Sequence, residues 1–334
     1  MIYKIFAGAM ALLCVAPFSF GQYNWQRCDS AFAPLPAGVQ VLTLNSQIEG
    51  KPVIAYAVTV PLRSRLLHFT TDTTRNRRLR PSEFYEKNQK PLLVVNGTFF
   101  EFVNNRNLNA VVRKRKLVAY NQHALALKGR DTLLYLHTLR SAIGIYRNRK
   151  ADVAWLFTDS NRKRPYAVQH PVPAWKDSLP QLTLQQLKAR LAAQNLSATH
   201  TPRKWRVQTA IGGGPVVVQK GAVQVTNNEE NMFAGKAIAD RHPRTAMGYT
   251  AGGNLVVLAV EGRRPGISEG VSLTQLAEML VSLGCVEALN LDGGGSSCML
   301  INGKQTITPS DREGQRPVPA VFIIQQKKNK FAAR

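Results

Sequence analysis

Carboxylates are scarce in this chain: 20 Asp and Glu stand against 44 Lys and Arg in 334 residues, a formal net charge of +24. Such an excess attracts anions of many kinds, among them phosphate polymers, lipopolysaccharide and nucleic acid. Zinc ligands are equally thin. The six histidines, His68, His123, His137, His170, His200 and His242, show neither an H-E-x-x-H motif nor close pairing, so no zinc centre is expected and no metal ligands are assigned, while an oxygen-lined cation site near Asp292 stays open. No nucleophile elbow occurs, because Ser296 is followed by Ser297 and Cys298 where the second glycine should stand. The glycine runs lack the Gly-Lys-Ser/Thr ending of a P-loop. Gly212 to Gly214 lead into Pro215 and a strand, whereas a dinucleotide fingerprint opens a helix, so no cofactor is expected. No RNP sequence is present and no nucleic-acid partner is expected. Past residue 21 no apolar run approaches the roughly 18 residues of a membrane-spanning helix, so no transmembrane anchor is expected.

What is present begins with a leader. Lys4 precedes an apolar run, Ile5 to Phe20, that ends in Ser19, Phe20 and Gly21, and residues 1–21 read as a signal peptide cut before Gln22. Leu13 is not the small residue that lipoprotein processing at Cys14 prefers. The expectation is an exported protein, periplasmic or secreted. Cys28, Cys285 and Cys298 remain after cleavage, an odd number that leaves a free thiol or an intermolecular bridge in an oxidising compartment. The basic residues fall in scattered clusters, including Arg75 to Arg80, Arg113 to Lys116 and Arg162 to Arg164. Each cluster reads first as a solvated face. Together they suit a phosphate-bearing glycan or an anionic envelope surface.

Residues 22–90 form a lead-in belonging to the same domain, with VQVLTL and VIAYAVTV as alternating strands joined near Gly50 and a short helix around Pro81 to Lys90. PLLVV then reads as a buried strand ending at Asn96. The main domain is expected over 91–326. It carries an insertion near 159–203, where four prolines precede an amphipathic helix, Leu182 to Gln194, with Leu184, Leu187 and Leu191 on one face. Residues 327–334 form a basic tail.

The chain is organised around NLDGGGSS, Asn290 to Ser297. Three consecutive glycines cost backbone entropy in any regular element, so they mark either a tight turn or a loop whose backbone approaches a ligand. Two continuous apolar runs precede the loop: LVVLAV, Leu255 to Val260, and VEALNL, Val286 to Leu291. Between them Ser272 and Gln275 stand at capping-box spacing, Leu273, Leu276, Leu280 and Leu283 recur at helical intervals, and Gly284 suits a left-handed C-cap. Strand, helix and strand over about 40 residues predict a βαβ unit with parallel strands. The expected fold class is α/β in the mixed α+β sense: a mixed sheet whose C-terminal parallel βαβ unit carries the site at its strand carboxyl ends. Glu261 and Asp292 then leave one sheet edge as candidate paired carboxylates.

The block from Arg244 to Met299 closely resembles the phosphodiester glycosidase family, as do VVNGTFF, Val94 to Phe100, and AIGGGPVVVQKG, Ala210 to Gly221. The resemblance implies an exported hydrolase of a sugar-1-phosphodiester, with N-acetylglucosamine as the implied sugar. Asp292 and Glu261 are the implied catalytic carboxylates. Arg244 and Arg263 would bind phosphate, the Gly293, Gly294 and Gly295 amides with Ser296 would line the site, and Asn290 and Asn96 would orient sugar hydroxyls. Where the family often shows Asp-Gly-Arg after the first strand, this chain has Glu261, Gly262 and Arg263. The alternative expectation is a binding module for anionic phosphoglycans that has lost catalysis.

Overall fold

The computed structural model describes residues 23–327. The expected signal peptide, and all but the first residue of the expected basic tail, lie outside them. The first long strands, β1 (Gln40–Ile48) and β2 (Lys51–Pro61), form a hairpin turned through Glu49 and Gly50, both with positive φ. After β3 (Leu67–Thr73), helix α1 (Pro81–Lys87) leads to β4 (Leu93–Asn96), close to the expected elements. The middle of the chain supplies β5 (Arg140–Ile145), β6 (Ala151–Phe157), α2 (Leu184–Ala193), β7 (Thr209–Gly212), β8 (Val216–Gln219) and the short α3 (Asn227–Glu230). The last third contains β9 (Arg244–Thr250), β10 (Asn254–Val260), α4 (Leu273–Ser282), β11 (Cys285–Asn290), β12 (Met299–Ile301) and β13 (Ala320–Gln326).

An eight-stranded sheet holds β1-β2-β10-β9-β11-β8 between two short edge strands. A five-stranded sheet contains β12-β4-β13-β3, and a seven-stranded one is centred on β6-β5-β7. Every pairing among the described strands is antiparallel, which overturns the expected α/β class and its parallel βαβ unit. The local elements exist, but β9 lies between β10 and β11 and pairs with both in antiparallel register. The crossover through α4 therefore skips one strand. Continuous apolar sequence is associated with parallel sheets because it reports burial on both faces. Here an antiparallel sheet is buried on both faces. Leu255, Val257 and Ala259 point into the large central core, whereas Val256, Leu258 and Val260 point under α4.

Helix α4 forms where its punctuation placed it. Ser272 and Gln275 complete a reciprocal capping box, and Gly284 closes the end at φ +80°. Leu273, Leu276 and Leu280 are wholly buried on the sheet, each contributing on the order of 1.5–3 kcal/mol. The 159–203 segment is likewise anchored: Leu187 and Leu191 of α2 enter the central core. Cys28, Cys285 and Cys298 are all free.

One buried acid joins three parts of the fold. Glu230, at the end of α3, is wholly inaccessible. Its Oε2 accepts from Ser141 N and Oγ, at 2.8 and 2.7 Å, and its Oε1 from Trp155 Nε1, Val216 N and Thr226 Oγ1, at 3.1, 2.8 and 2.7 Å. Truncation would strand five donors away from water. Glu230→Ala is expected to cost about 3–5 kcal/mol, read as a lowered urea midpoint, with Glu230→Gln recovering only part; an unchanged midpoint for the alanine variant would remove Glu230 from this anchoring role.

Candidate active site

The glycine loop is set by a knot of hydrogen bonds where the eight-stranded sheet meets β4. Past the end of β11, Leu291 N donates to Thr245 O at 2.7 Å and Asp292 N to Gly97 O at 2.9 Å. Asn96 Nδ2 donates to Asp292 O at 2.5 Å, while its Oδ1 accepts from Thr245 Oγ1 and Cys298 N at 2.9 and 3.0 Å. With no accessible surface, Asn96 is a structural tie and not a group facing sugar. Asn290 is equally buried. Its Nδ2 donates to Gly214 O at 2.9 Å, but its Oδ1 has no partner.

Asp292 is the carboxylate that the knot positions. Its Oδ2 is buried without a hydrogen bond, as is the Ser297 hydroxyl. Burial pushes its carboxyl up to about 7, against the opposing influences of Ser296, the Arg316 charge and the Gly293 amide, which favour the carboxylate. It is therefore poised to exchange a proton near neutral pH.

The three glycines are required by close approach. A Cβ on Gly295 would fall 2.0 Å from Asp311 Oδ1 and 2.2 Å from an Arg316 nitrogen. Gly294 has φ +59°, and a Cβ there would lie 3.0 Å from Arg263 Nη2. Two guanidinium groups thus cover successive glycines. Arg316 is held by both Asp311 oxygens, at 2.7 and 2.8 Å, a bidentate pairing that fixes its plane. Arg263 is exposed, with no hydrogen-bond partner among the described residues. The loop is a poorer anion cradle than expected: Gly294 N donates to Pro243 O at 2.8 Å and Gly293 N interacts with the Asp292 carboxyl.

Other expected site residues are engaged elsewhere. Glu261 is buried, its Oε1 paired with Arg264 and its Oε2 accepting from Thr308 N at 2.7 Å, so it clamps two loops. Arg244 is only 2% exposed and gives its fork to the backbone oxygens of Val271, Ala237 and Asp240. Burial and then the Arg263 charge bring it down to about 10, and burial followed by both arginines lowers the His242 imidazole. Burial pushes the Cys285 and Cys298 thiols up to about 12, which disqualifies them as nucleophiles. Phe99 packs edge-on against Phe233, and Phe100 joins the core with Phe84. Sequence reasoning missed Asp311 and Arg316. They stand in a loop with no periodicity or motif, and only chain folding brings them over Gly295.

The geometry thus brings together a half-buried residue whose carboxyl titrates near neutrality and two guanidinium groups over the adjoining glycines. The phosphodiester glycosidase family profile matches residues 157–325, half of the chain, and the protein belongs to that family. Over 68 residues it is 43% identical to the N-acetylglucosamine-1-phosphodiester alpha-N-acetylglucosaminidase of Bos taurus, a match covering 20% of this chain and only 12% of that enzyme. The zebrafish catalytic domain of the same enzyme, auto-inhibited by its pro-peptide, superposes with a TM-score of 0.57 at 19% identity, covering 92% of this chain and 89% of that one. A hypothetical protein from Synechocystis gives the same TM-score at 18% identity, covering 92% of this chain and 68% of the other. These two structural likenesses establish the fold alone.

Two predictions follow from the geometry. The raised pKa of Asp292 means that its neutral form favours folding. That contribution is complete below the ordinary aspartate range, about 4, declines as pH rises, and is lost above about 7. Melting temperature should fall over that window by less in Asp292→Asn than in the native protein, and parallel curves would refute a buried titrating carboxyl. Gly295→Ala should displace the Asp311–Arg316 pair and cost about 1–3 kcal/mol in a denaturant titration.

Proposed function

We propose that this protein is an exported hydrolase of sugar-1-phosphodiester bonds in a glycan or envelope polymer, cleaving between the anomeric carbon and the phosphate oxygen. The observation that carries the reading is the Asp292 carboxyl: buried, raised to about 7, with Oδ2 unpartnered, on a glycine loop covered by Arg263 and Arg316. The named relatives act on a glycosyl phosphodiester, which supplies the substrate class. The expected leader supports export. No described helix is long and apolar enough to cross a membrane.

In this reading Arg263 meets the phosphate, with Arg316 adding fixed positive charge. Ionised Asp292 either takes the proton of an attacking water or attacks the anomeric carbon itself; the C1–O bond breaks and the phosphate monoester leaves with the bonding electrons. Stable phosphate needs little proton donation to leave, so electrostatic stabilisation carries more of the barrier than a general acid. The two occupied oxygens of Glu261 accordingly make it a positioning residue. Those contacts also favour a second reading, glycan binding without turnover, because they leave one free carboxyl where paired-carboxylate hydrolysis uses two.

Incubation of the mature protein with an α-N-acetylglucosamine-1-phosphodiester should release free sugar, and Asp292→Asn should abolish release while retaining the fold. Retained turnover would rule out an essential carboxylate there. Sugar phosphate as product would place the cut on the other side of phosphorus, and tight binding without product would favour the binding reading. The rate should rise with pH through about 7, and Arg316→Gln should move that midpoint upward by removing a charge that lowers it.

A further inference from the structure

One groove of the structure is linked to this loop through side-chain hydrogen bonds. A groove of about 740 Å³ runs between the outer end of β3, the 104–107 loop and residues 118–122. It is walled by side-chain amides, hydroxyls and two arginines, and no carboxylate lines it. Asn104 uses its Oδ1 on the Arg106 backbone, at 3.0 Å, and leaves its NH2 free. The side chains of Asn76 and Gln122 and the Tyr120 hydroxyl make no hydrogen bond within the described protein, and Tyr120 keeps 38% of its surface exposed. Carboxamides offer a donor and an acceptor together, which matches the adjacent hydroxyls of a sugar. A half-exposed aromatic ring offers its face to the apolar side of a pyranose, and Arg75 and Arg106 suit negative charge along a chain.

The groove is joined to the Asp292 loop through its inner wall. Asn107 accepts from Thr98 Oγ1 and donates to Thr73 Oγ1, and Thr98 directly follows Gly97, whose carbonyl holds Asp292 N. Phe102 is 59% exposed. Its ring lies 5.1 Å from the Arg78 guanidinium and 5.5 Å from that of Arg316, the same Arg316 that lies against Gly295. Phe102 stands two residues before Asn104 of the groove wall, so one short segment touches both the arginine that covers the glycine loop and the groove.

From this continuity we infer that the groove is an extended subsite for the aglycone side of the substrate: further sugar units of a phosphodiester-linked glycan chain. This rests on the glycosidase reading above. It makes a polymer the preferred substrate over a small diester.

The test compares a methyl diester of α-N-acetylglucosamine-1-phosphate with a synthetic chain of three phosphodiester-linked units, using the native protein and a Tyr120→Ala/Gln122→Ala variant. Tyr120 is exposed and Gln122 half-buried, and an unchanged melting temperature checks folding. The native protein should show a KM for the three-unit chain about ten-fold below that for the methyl diester. The variant should lose that advantage while its kcat/KM on the methyl diester stays within about two-fold. Equal KM values in the native protein, or the same loss on both substrates, would overturn the subsite. If neither compound is cleaved, the hydrolase reading fails by itself. The groove is then judged by calorimetric titration of the three-unit chain into Asp292→Asn protein with and without the groove substitutions. Binding lost on substitution sustains the subsite, whereas binding unchanged or absent overturns it.

Discussion

The buried amide of Asn96 is the interaction on which the rest of the site depends. A single side chain accepts from β9 and from the residue before β12, and donates to the carbonyl of Asp292. These contacts hold together the end of a five-stranded sheet, an interior strand of an eight-stranded sheet and the glycine loop. No hydrocarbon side chain could replace it, because three backbone or hydroxyl groups would be left unpaired away from water. A shift of the strand ends would carry Asp292 with it. The loop is therefore tied to the sheet junction despite its three glycines.

The same junction accounts for the electrostatics. Burying a carboxyl raises its affinity for a proton, and nearby positive charge lowers it; at Asp292 burial wins and the balance falls near neutrality. Arg316 is kept from collapsing onto Asp292 by its two-point pairing with Asp311. Arg244, although adjacent in the fold, gives its donors to backbone carbonyls and braces the β9 entry. Charge that looks alike in sequence thus divides into one exposed guanidinium, one tethered guanidinium and one buried strut.

Much of the local structure was legible. The α4 capping box, the leucine spacing of α2, the hairpin near Gly50 and the strand ending at Asn96 all rest on interactions within a few residues, and neighbouring sequence carries those directly. The importance of NLDGGGSS was legible too, since three adjacent glycines are tolerated only where something comes very close. What comes close was not legible: Asp311 and Arg316 belong to a loop with no local pattern. Asn96 and Arg244, expected to hold sugar and phosphate, lie beside the loop with side chains turned to neighbouring protein groups that no motif reveals.

Sequence by itself determined the local elements and the family, because periodicity, capping and consecutive glycines are short-range signals. Tertiary structure decided strand partnership. Apolar runs at Leu255 and Val286 state that both faces are covered, but not which strand lies between, and β9 filled that position and turned an expected parallel unit into an antiparallel sheet. It also decided which ionisable groups remain available, since the pairing of Glu261 with Arg264 and Thr308 and the burial of Asp292 depend on distant segments meeting in space.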